Sequence, residues 1–349
     1  MKLKTLFTAL VLSLVLNVSG QNPVEVISGL QLPFGLFAAG NELYISEHNV
    51  GRISKIDYTS ASPVAIKVDS GLNKPASMVL IGDYLYIAEI DGNKISKVDI
   101  TSSNPTAIDV VTGLNGPASL LVNGNDLLIS EFKGDKISKI DISDPTPTPV
   151  DVVTNVVGAF GLELVGDDLY VCESTVGKVS KIDITSSNPT KVEVLSGLNY
   201  PVSLEIVGNE LYVAEINRLS KLDVTASEPT LEEVVPDFSG IREILLVGKD
   251  LYIAELSNNS ITKLQNVLVN NATTVVGNNF TVFPNPSSDF VNIHGFNGLK
   301  EYSLFDVSGA EIQTGILDEN SSFIDIRNLS KGIYFLQIEN GNIQKISKN

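Results

Sequence analysis

The chain has 349 residues, of which 43% are hydrophobic and 19% are charged, and its formal net charge is −17. This composition is typical of a folded globular protein, and the strong negative charge argues against binding to nucleic acid or anionic membranes. The single cysteine, Cys172, excludes an intrachain disulfide, and the two histidines, His48 and His294, offer little for a zinc site or a histidine-based triad.

Residues 1–20 have the features of a secretory signal peptide. Lys2 and Lys4 precede an apolar run, Leu6 to Leu16, of about eleven residues, and small residues end at Gly20 before the expected cleavage site. The apolar run is too short to cross a bilayer, and no other segment approaches about eighteen apolar residues. We therefore expect an exported protein without a transmembrane segment.

A motif of the form Leu-Tyr-Ile-Ala-Glu occurs six times, and its glutamates are spaced by 42 residues four times and by 40 residues once. These glutamates are Glu47, Glu89, Glu131, Glu173, Glu215 and Glu255. Each repeat contains four short apolar or alternating runs, separated by Gly-Leu-Asn-x-Pro, Gly-Asp or Gly-Asn, and Ser-Asn-Pro turns. Four antiparallel strands repeated at this interval predict the blades of a β-propeller, so residues 21–265 are expected to form a six-bladed one.

The ends of the repeat region predict how the propeller closes. The sixth repeat stops after its third strand, at Ile261–Leu264, while Val24–Ile27 matches the fourth strand of the other repeats. We expect this N-terminal strand to complete the sixth blade and remove an exposed sheet edge.

The repeat pattern, Pro…Gly-x-x-Leu-Tyr-Ile-Ala-Glu…Ile-Ser-Lys-Ile-Asp, resembles the NHL and gluconolactonase-like six-bladed propellers over roughly residues 22–265. The resemblance implies the fold, and it leaves lactonases, other hydrolases and binding modules open as functions. Gluconolactonase-like enzymes hold a divalent metal with Glu, Asn and Asp from their inner strands. The corresponding row here is Gly35, Ser77, Ser119, Gly161, Ser203 and Glu243. Glu243, together with Glu163 and Glu205 two places deeper, is therefore the only candidate set for a cation such as Ca²⁺.

Departures from the repeat are the better candidates for ligand binding. Phe34 and Phe160 belong to repeats one and four, which face each other across a six-fold ring, and Arg242 and Glu243 replace a pair of small residues in repeat six. Two aromatic rings and a charged pair predict a modest binding site at the channel mouth. The alternative is that both phenylalanines only pack against neighbouring blades.

Residues identical in all repeats are expected to serve the fold. We expect each repeated glutamate to cap a turn or pair with a nearby lysine, and Cys172 to be a small buried residue rather than a nucleophile. The repeated lysines are Lys55, Lys97, Lys139, Lys181, Lys221 and Lys263. No catalytic residue is predicted.

Residues 266–279 are rich in Asn, Thr and Val and read as a linker, and residues 280–349 contain short alternating strands typical of a small immunoglobulin-like β-sandwich. This tail resembles the C-terminal sorting domain of the type IX secretion system. The residues that carry the resemblance are Pro284, Asn285, Pro286, Asp306, Gly309, Gly332, Tyr334, Lys345 and Lys348. The resemblance implies a Bacteroidetes-type source, the type IX machinery as a partner, and a final location outside the cell or on its outer surface.

Three hypotheses follow for the function. The first is a secreted or cell-surface binding protein, a monomer without a cofactor, whose ligand is an extracellular peptide, glycan or protein. The second is a hydrolase or lactonase that depends on a divalent cation held by Glu163, Glu205 and Glu243. The third is a structural surface protein. Convergence of the three carboxylates on one point would favour the enzyme.

Overall fold

The computed structural model of the chain describes residues 22–226, 229–267, 281–283, 285, 287, 290–294, 300–306, 310–317, 323–338 and 343–348. The signal peptide predicted at 1–20 lies outside the described residues, as does most of the linker predicted at 266–279. The described part is all-β, apart from one 3₁₀-helical turn at Ser174–Val176. No helix in these ranges is long and apolar enough to cross a membrane.

Six four-stranded antiparallel sheets account for residues 24–264. Sheet one contains β2 (Pro33–Ala39), β3 (Glu42–Glu47), β4 (Arg52–Asp57) and β5 (Ile66–Ser70). Sheet two contains β6 (Pro75–Ile81), β7 (Tyr84–Glu89), β8 (Lys94–Asp99) and β9 (Ile108–Thr112). Sheet three contains β10 (Pro117–Asn123), β11 (Asp126–Glu131), β12 (Lys136–Asp141) and β13 (Val150–Thr154).

The remaining three sheets repeat this order. Sheet four contains β14 (Ala159–Val165), β15 (Asp168–Glu173), β16 (Lys178–Asp183) and β17 (Lys191–Ser196). Sheet five contains β18 (Pro201–Val207), β19 (Glu210–Glu215), β20 (Arg218–Asp223) and β21 (Glu232–Val235). Sheet six contains β22 (Ile241–Val247), β23 (Asp250–Glu255), β24 (Ser260–Leu264) and β1 (Val24–Ile27).

The second strand of each sheet is buried on both faces, which explains why its sequence is an apolar run rather than an alternating one. In β7, Leu85 and Ile87 pack with residues of sheet one, while Tyr86 and Ala88 pack with residues of sheet three. The fourth strands lie at the sheet edges and are mostly exposed. The core is therefore a series of apolar layers between neighbouring sheets.

The first strands of the six sheets are neighbours in chain order, from β2 to β22, and β22 in turn contacts β2. This gives a propeller-like arrangement around a central axis. β1 pairs antiparallel with β24, with Glu25 opposite Thr262 and Ile27 opposite Ile261, so the N-terminal strand forms the fourth strand of sheet six.

The C-terminal region forms two further sheets in the described residues. One contains β25 (Thr281–Phe283), β26 (Phe290–His294) and β29 (Phe323–Asp325). The other contains β27 (Lys300–Phe305), β28 (Glu311–Leu317), β30 (Gly332–Ile338) and β31 (Ile343–Lys348). Side chains from both sheets share one apolar core, which includes Val291, Ile324, Leu304 and Leu336.

Candidate functional site

The repeated glutamates are structural anchors. All six are at most 4% exposed. Glu47 accepts hydrogen bonds from the backbone N–H of Gln31 at 2.8 Å and the hydroxyl of Ser54 at 2.5 Å, and it pairs with Arg52 at 2.6 Å. Although burial opposes ionisation, the hydrogen bonds from Arg52 and Ser54 hold the pKa of Glu47 below its usual range. These contacts tie the loop before the first strand to the second strand, which confirms the predicted structural role.

Five of the six repeated glutamates have a cation beside them in the described structure, and it is not the repeated lysine, whereas Glu255 accepts hydrogen bonds from Asn258 and Thr262. Glu89, for example, lies 3.5 Å from Lys94, at the start of the third strand. The repeated lysine pairs with the acid that opens the second strand, as Lys181 does with Asp168 at 2.6 Å, except in sheet two, where Lys97 lies 4.7 Å from the ring centroid of Tyr84. Both residue types therefore stabilise the repeated fold, and the candidate ligand-binding residues are the ones that depart from the repeat.

Phe34 and Phe160 are brought together at one end of the central axis. Their ring centroids are 5.9 Å apart, and each side chain is 7% exposed. Phe34 stacks on the imidazole of His48 at 4.5 Å, and Phe160 meets the ring of Phe132 edge-on at 5.6 Å. The four rings, supplied by sheets one, three and four, form a continuous aromatic floor where the first strands begin, and we call this end of the axis the mouth.

Arg242 joins this floor from β22. Its guanidinium carbon lies 5.6 Å from the centroid of the Phe34 ring, in a cation–π contact. Its Nε atom is buried and has no hydrogen-bond partner among the residues that the structure describes. Burial lowers the pKa of Arg242, which nevertheless remains charged at neutral pH, and Tyr200 is the neighbour that favours its charged form. The mouth therefore contains a cation that the protein itself does not neutralise.

His48 contributes a flat polar ring to the same site. Its Nδ1 atom lies 3.1 Å from the carbonyl oxygen of Pro75. Burial lowers the pKa of His48, and the positive charges of Lys74 and Arg242 lower it further, against opposing contributions from Pro75 and Asp91. The imidazole is therefore neutral at pH 7, and the positive charge of the mouth comes from Arg242 and Lys74.

Glu163, Glu205 and Glu243 lie on adjacent first strands and influence one another. Burial, with repulsion from Glu205, raises the pKa of Glu243 to about 8, and burial likewise raises the pKa of Glu205 to about 8. Burial and repulsion from Glu205 also raise the pKa of Glu163 well above its usual range. Burial and mutual repulsion therefore favour the protonated forms of these carboxyl groups.

The same three carboxylates are directed at neighbouring strands. Glu163 accepts a hydrogen bond from the backbone N–H of Ile206 at 3.4 Å, and Glu243 accepts one from the hydroxyl of Ser203 at 3.4 Å. Among the described residues, no three Asp, Glu, His or Cys side chains are arranged to hold a metal ion. These hydrogen bonds direct Glu163 and Glu243 toward neighbouring strands, so the hypothesis of a Ca²⁺ site at the three carboxylates stays a hypothesis that their arrangement does not favour.

Several mouth residues were not singled out from the sequence. Lys74 and Tyr200 lie one residue before their first strands and adopt positive φ angles of 56° and 53°. His48 and Phe132 occupy the position immediately after a repeated glutamate. Aligning this row across the repeats would have revealed them, since the row otherwise contains Ile90, Ser174, Ile216 and Leu256.

Cys172 is completely buried, and burial raises the pKa of its thiol well above its usual range. An inert buried thiol agrees with its predicted role as a small core residue.

Where the structure describes them, the tail motif residues fix local turns and, through Asn285, connect to the last strand of the C-terminal region. The side-chain oxygen of Asn285 accepts a hydrogen bond from the backbone N–H of Ser347 at 2.7 Å, and the hydroxyl of Tyr334 donates to the carbonyl of Ser330 at 2.7 Å. Asp306 accepts the backbone N–H of Ala310 at 3.0 Å. Gly332 begins β30, and Lys345 and Lys348 lie in β31. Pro284, Pro286 and Gly309 lie outside the described residues.

Residues 281–349 match the family model of the secretion system C-terminal sorting domain. This match confirms the recognition of the type IX sorting tail, which is a tail of proteins that are secreted or sent to the cell surface. A search of curated proteins found no significant match to the chain.

Comparison with solved structures confirms the similarity to gluconolactonase-like propellers at the level of the fold. A gluconolactonase from Xanthomonas campestris is 12% identical over 69% of this chain and 88% of its own, with a TM-score of 0.59. Virginiamycin B lyase from Staphylococcus aureus is 15% identical over 70% of this chain and 98% of its own, with a TM-score of 0.52. A luciferin-regenerating enzyme is 14% identical over 70% of this chain and 96% of its own, with a TM-score of 0.59.

Proposed function

We propose that this protein is a secreted or cell-surface six-bladed β-propeller, exported by the type IX machinery, that binds an extracellular ligand at the mouth of its central channel. In this proposal the six sheets are the blades, β1 completes the sixth blade, and the two C-terminal sheets are an immunoglobulin-like sorting domain. The observation that carries the binding function is the contact of Arg242 with the Phe34–Phe160 pair, where the repeats lose their symmetry.

The unpaired arginine favours ligand binding over the alternative that these residues only pack against neighbouring sheets. Two phenylalanines at the axis alone would be explained by burial of apolar surface. The buried Nε–H of the half-buried Arg242 has lost water contacts and gained no acceptor among the described residues, which is unfavourable unless a ligand completes the site. A purely structural surface protein has no need of such a group.

A ligand screen tests the binding function. Ligand-detected NMR with the full chain and a library of small acids, short peptides and oligosaccharides should find binders whose signal is lost in Phe160→Leu. Phe37→Leu is the matched control, because Phe37 lies on a first strand but packs between sheets one and two rather than at the mouth. Binders that respond equally to both substitutions, or to neither, would contradict a ligand site at the mouth.

The lactonase hypothesis can be tested with the same purified protein. Hydrolysis of aldonolactones would be measured with Ca²⁺, Mn²⁺ or Zn²⁺, in the wild type and in Glu243→Gln. We expect no turnover above the buffer rate, because no three acidic, His or Cys side chains in the described part of the chain are arranged to hold a metal ion. Metal-dependent turnover that Glu243→Gln abolishes would overturn the proposal of a binding protein.

The export route has an independent test in the native host. Removing residues 281–349 should leave the remaining protein in the periplasm, because the matched sorting domain is then absent. Normal appearance of the truncated protein in the medium or on the cell surface would contradict the type IX route.

A further inference from the structure

The channel mouth is a positively charged site on an acidic protein. Arg242 makes no ion pair or hydrogen bond within the described residues, and Lys74, which acts on the same His48 ring, has no ion-pair partner there either. The nearby acid, Asp91, is already paired with Lys133 at 2.8 Å. The formal net charge of the whole chain is −17. An isolated excess of positive charge at an apolar mouth is therefore complementary to an anion.

The carboxylate nearest in sequence does not neutralise Arg242. Glu243 accepts a hydrogen bond from Ser203, and its pKa of about 8, raised by burial and by Glu205, keeps it largely protonated at pH 7. The guanidinium therefore keeps both its charge and its N–H donors available. Those donors lie in one plane and match the two oxygens of a carboxylate.

We propose that the mouth recognises a carboxylate attached to an apolar or aromatic group, with Arg242 pairing to the carboxylate and Phe34 and Phe160 contacting the apolar part. This inference rests on the proposed binding function and specifies its ligand chemistry. A single charge is favoured over a phosphate dianion, because only one guanidinium contacts the aromatic floor and the surroundings are apolar. An apolar substituent is favoured because the groups packed beside Arg242 at this end of the axis are mainly aromatic rings.

Two sources supply this chemistry: a free organic acid and the C-terminal carboxylate of a peptide. Phenylacetate represents the first source, and N-acetyl-glycyl-phenylalanine represents the second. Each has a neutral partner of nearly the same shape, phenylacetamide and the peptide amide. Binding of both acids, or of either one alone, supports the inference, and the pattern identifies the source.

The test is a titration of the full chain with the four compounds, followed by NMR or calorimetry. We expect each binding acid to bind at least about tenfold more tightly than its amide, and Arg242→Gln to remove that preference. Arg242→Gln should fold, since it removes an unpaired cation from apolar surroundings, and its melting temperature should equal or exceed that of the wild type. Arg327→Gln is the control, because Arg327 pairs with Asp325 in the C-terminal sheets.

The outcomes distinguish this inference from the proposed function. Equal binding of acids and amides, lost in Phe160→Leu, would overturn the carboxylate inference and leave the mouth as a binding site. Acid binding that survives Arg242→Gln would also overturn it. If neither acid binds at about 10 mM while other compounds from the screen do, the ligand chemistry is wrong and the binding function stands.

Discussion

Replacing Glu243 by Gln should stabilise the protein in alkaline solution and have little effect in acid. Glu243 is held among Glu205, Glu163, Cys172 and Ser203, where burial and repulsion from Glu205 raise its pKa to about 8. In the unfolded chain the same carboxyl has a pKa of about 4.5. Between these values the folded state holds a proton that the unfolded state has released, so the free energy of unfolding falls as the pH rises.

The size of the effect follows from the displacement of the pKa. A displacement from 4.5 to about 8 corresponds to about 5 kcal/mol in a fully dry site. Glu243 keeps part of its surface accessible, so water in the channel will screen the charge, and we expect about 2–3 kcal/mol. For a domain of this size that equals a difference in melting temperature of roughly 5–10 °C.

Thermal unfolding followed by circular dichroism would measure this difference. Wild type and Glu243→Gln should melt together near about pH 4.5, diverge as the pH rises, and reach a constant difference above about pH 8. Glu233→Gln, an exposed glutamate on β21, should match the wild type throughout. A Glu243→Gln protein that melts below the wild type at alkaline pH, or a difference that does not change with pH, would refute the reasoning.

Two further stability predictions concern the repeat itself, and both are measured as melting temperatures. Glu215→Gln should destabilise by about 3 kcal/mol, because it leaves Arg218 without its buried partner. Glu131→Gln should cost less, because Glu131 Oε1 has only a 3.5 Å ion pair with Lys136 and no hydrogen bond in the described structure. Equal losses would contradict this ranking. Deleting residues 21–28 should lower the melting temperature by more than about 10 °C, because it removes the strand paired with β24 and exposes a sheet edge, and an unchanged value would show that β1 contributes little.

The all-β fold could be predicted because every repeat has the same pattern of apolar runs and turn residues. Leu85 and Tyr86 point to opposite faces of β7, yet both are buried, so an apolar run of strand length flanked by glycine turns is diagnostic of a strand between two sheets. The pairing of β1 with β24 could also be predicted from the repeat pattern. The sixth repeat lacks its fourth strand, and Val24–Ile27 is an additional strand before the first repeat.

Only part of the candidate site could be predicted from the sequence. Breaks in the repeat identified Phe34, Phe160 and Arg242 individually, but their distances depend on the diameter of the ring, which no local pattern encodes. The metal hypothesis rested on spacing along neighbouring strands, which cannot reveal the direction of a side chain. Glu163 accepts the backbone N–H of Ile206, and Glu243 accepts the hydroxyl of Ser203, two partners that the spacing does not specify.

One break in the repeat connects the sequence directly to the mouth. Four residues join the second and third strands in sheets one to four and in sheet six, whereas only Ile216 and Asn217 join them in sheet five. This accounts for the single spacing of 40 residues. The carbonyl oxygen of Ile216 accepts the backbone N–H groups of Gly240 and Ile241, at 2.9 and 3.0 Å, and these residues immediately precede Arg242. The shortened loop therefore anchors the start of β22, so the irregular spacing and the irregular charge belong to one local structure that positions the guanidinium over Phe34.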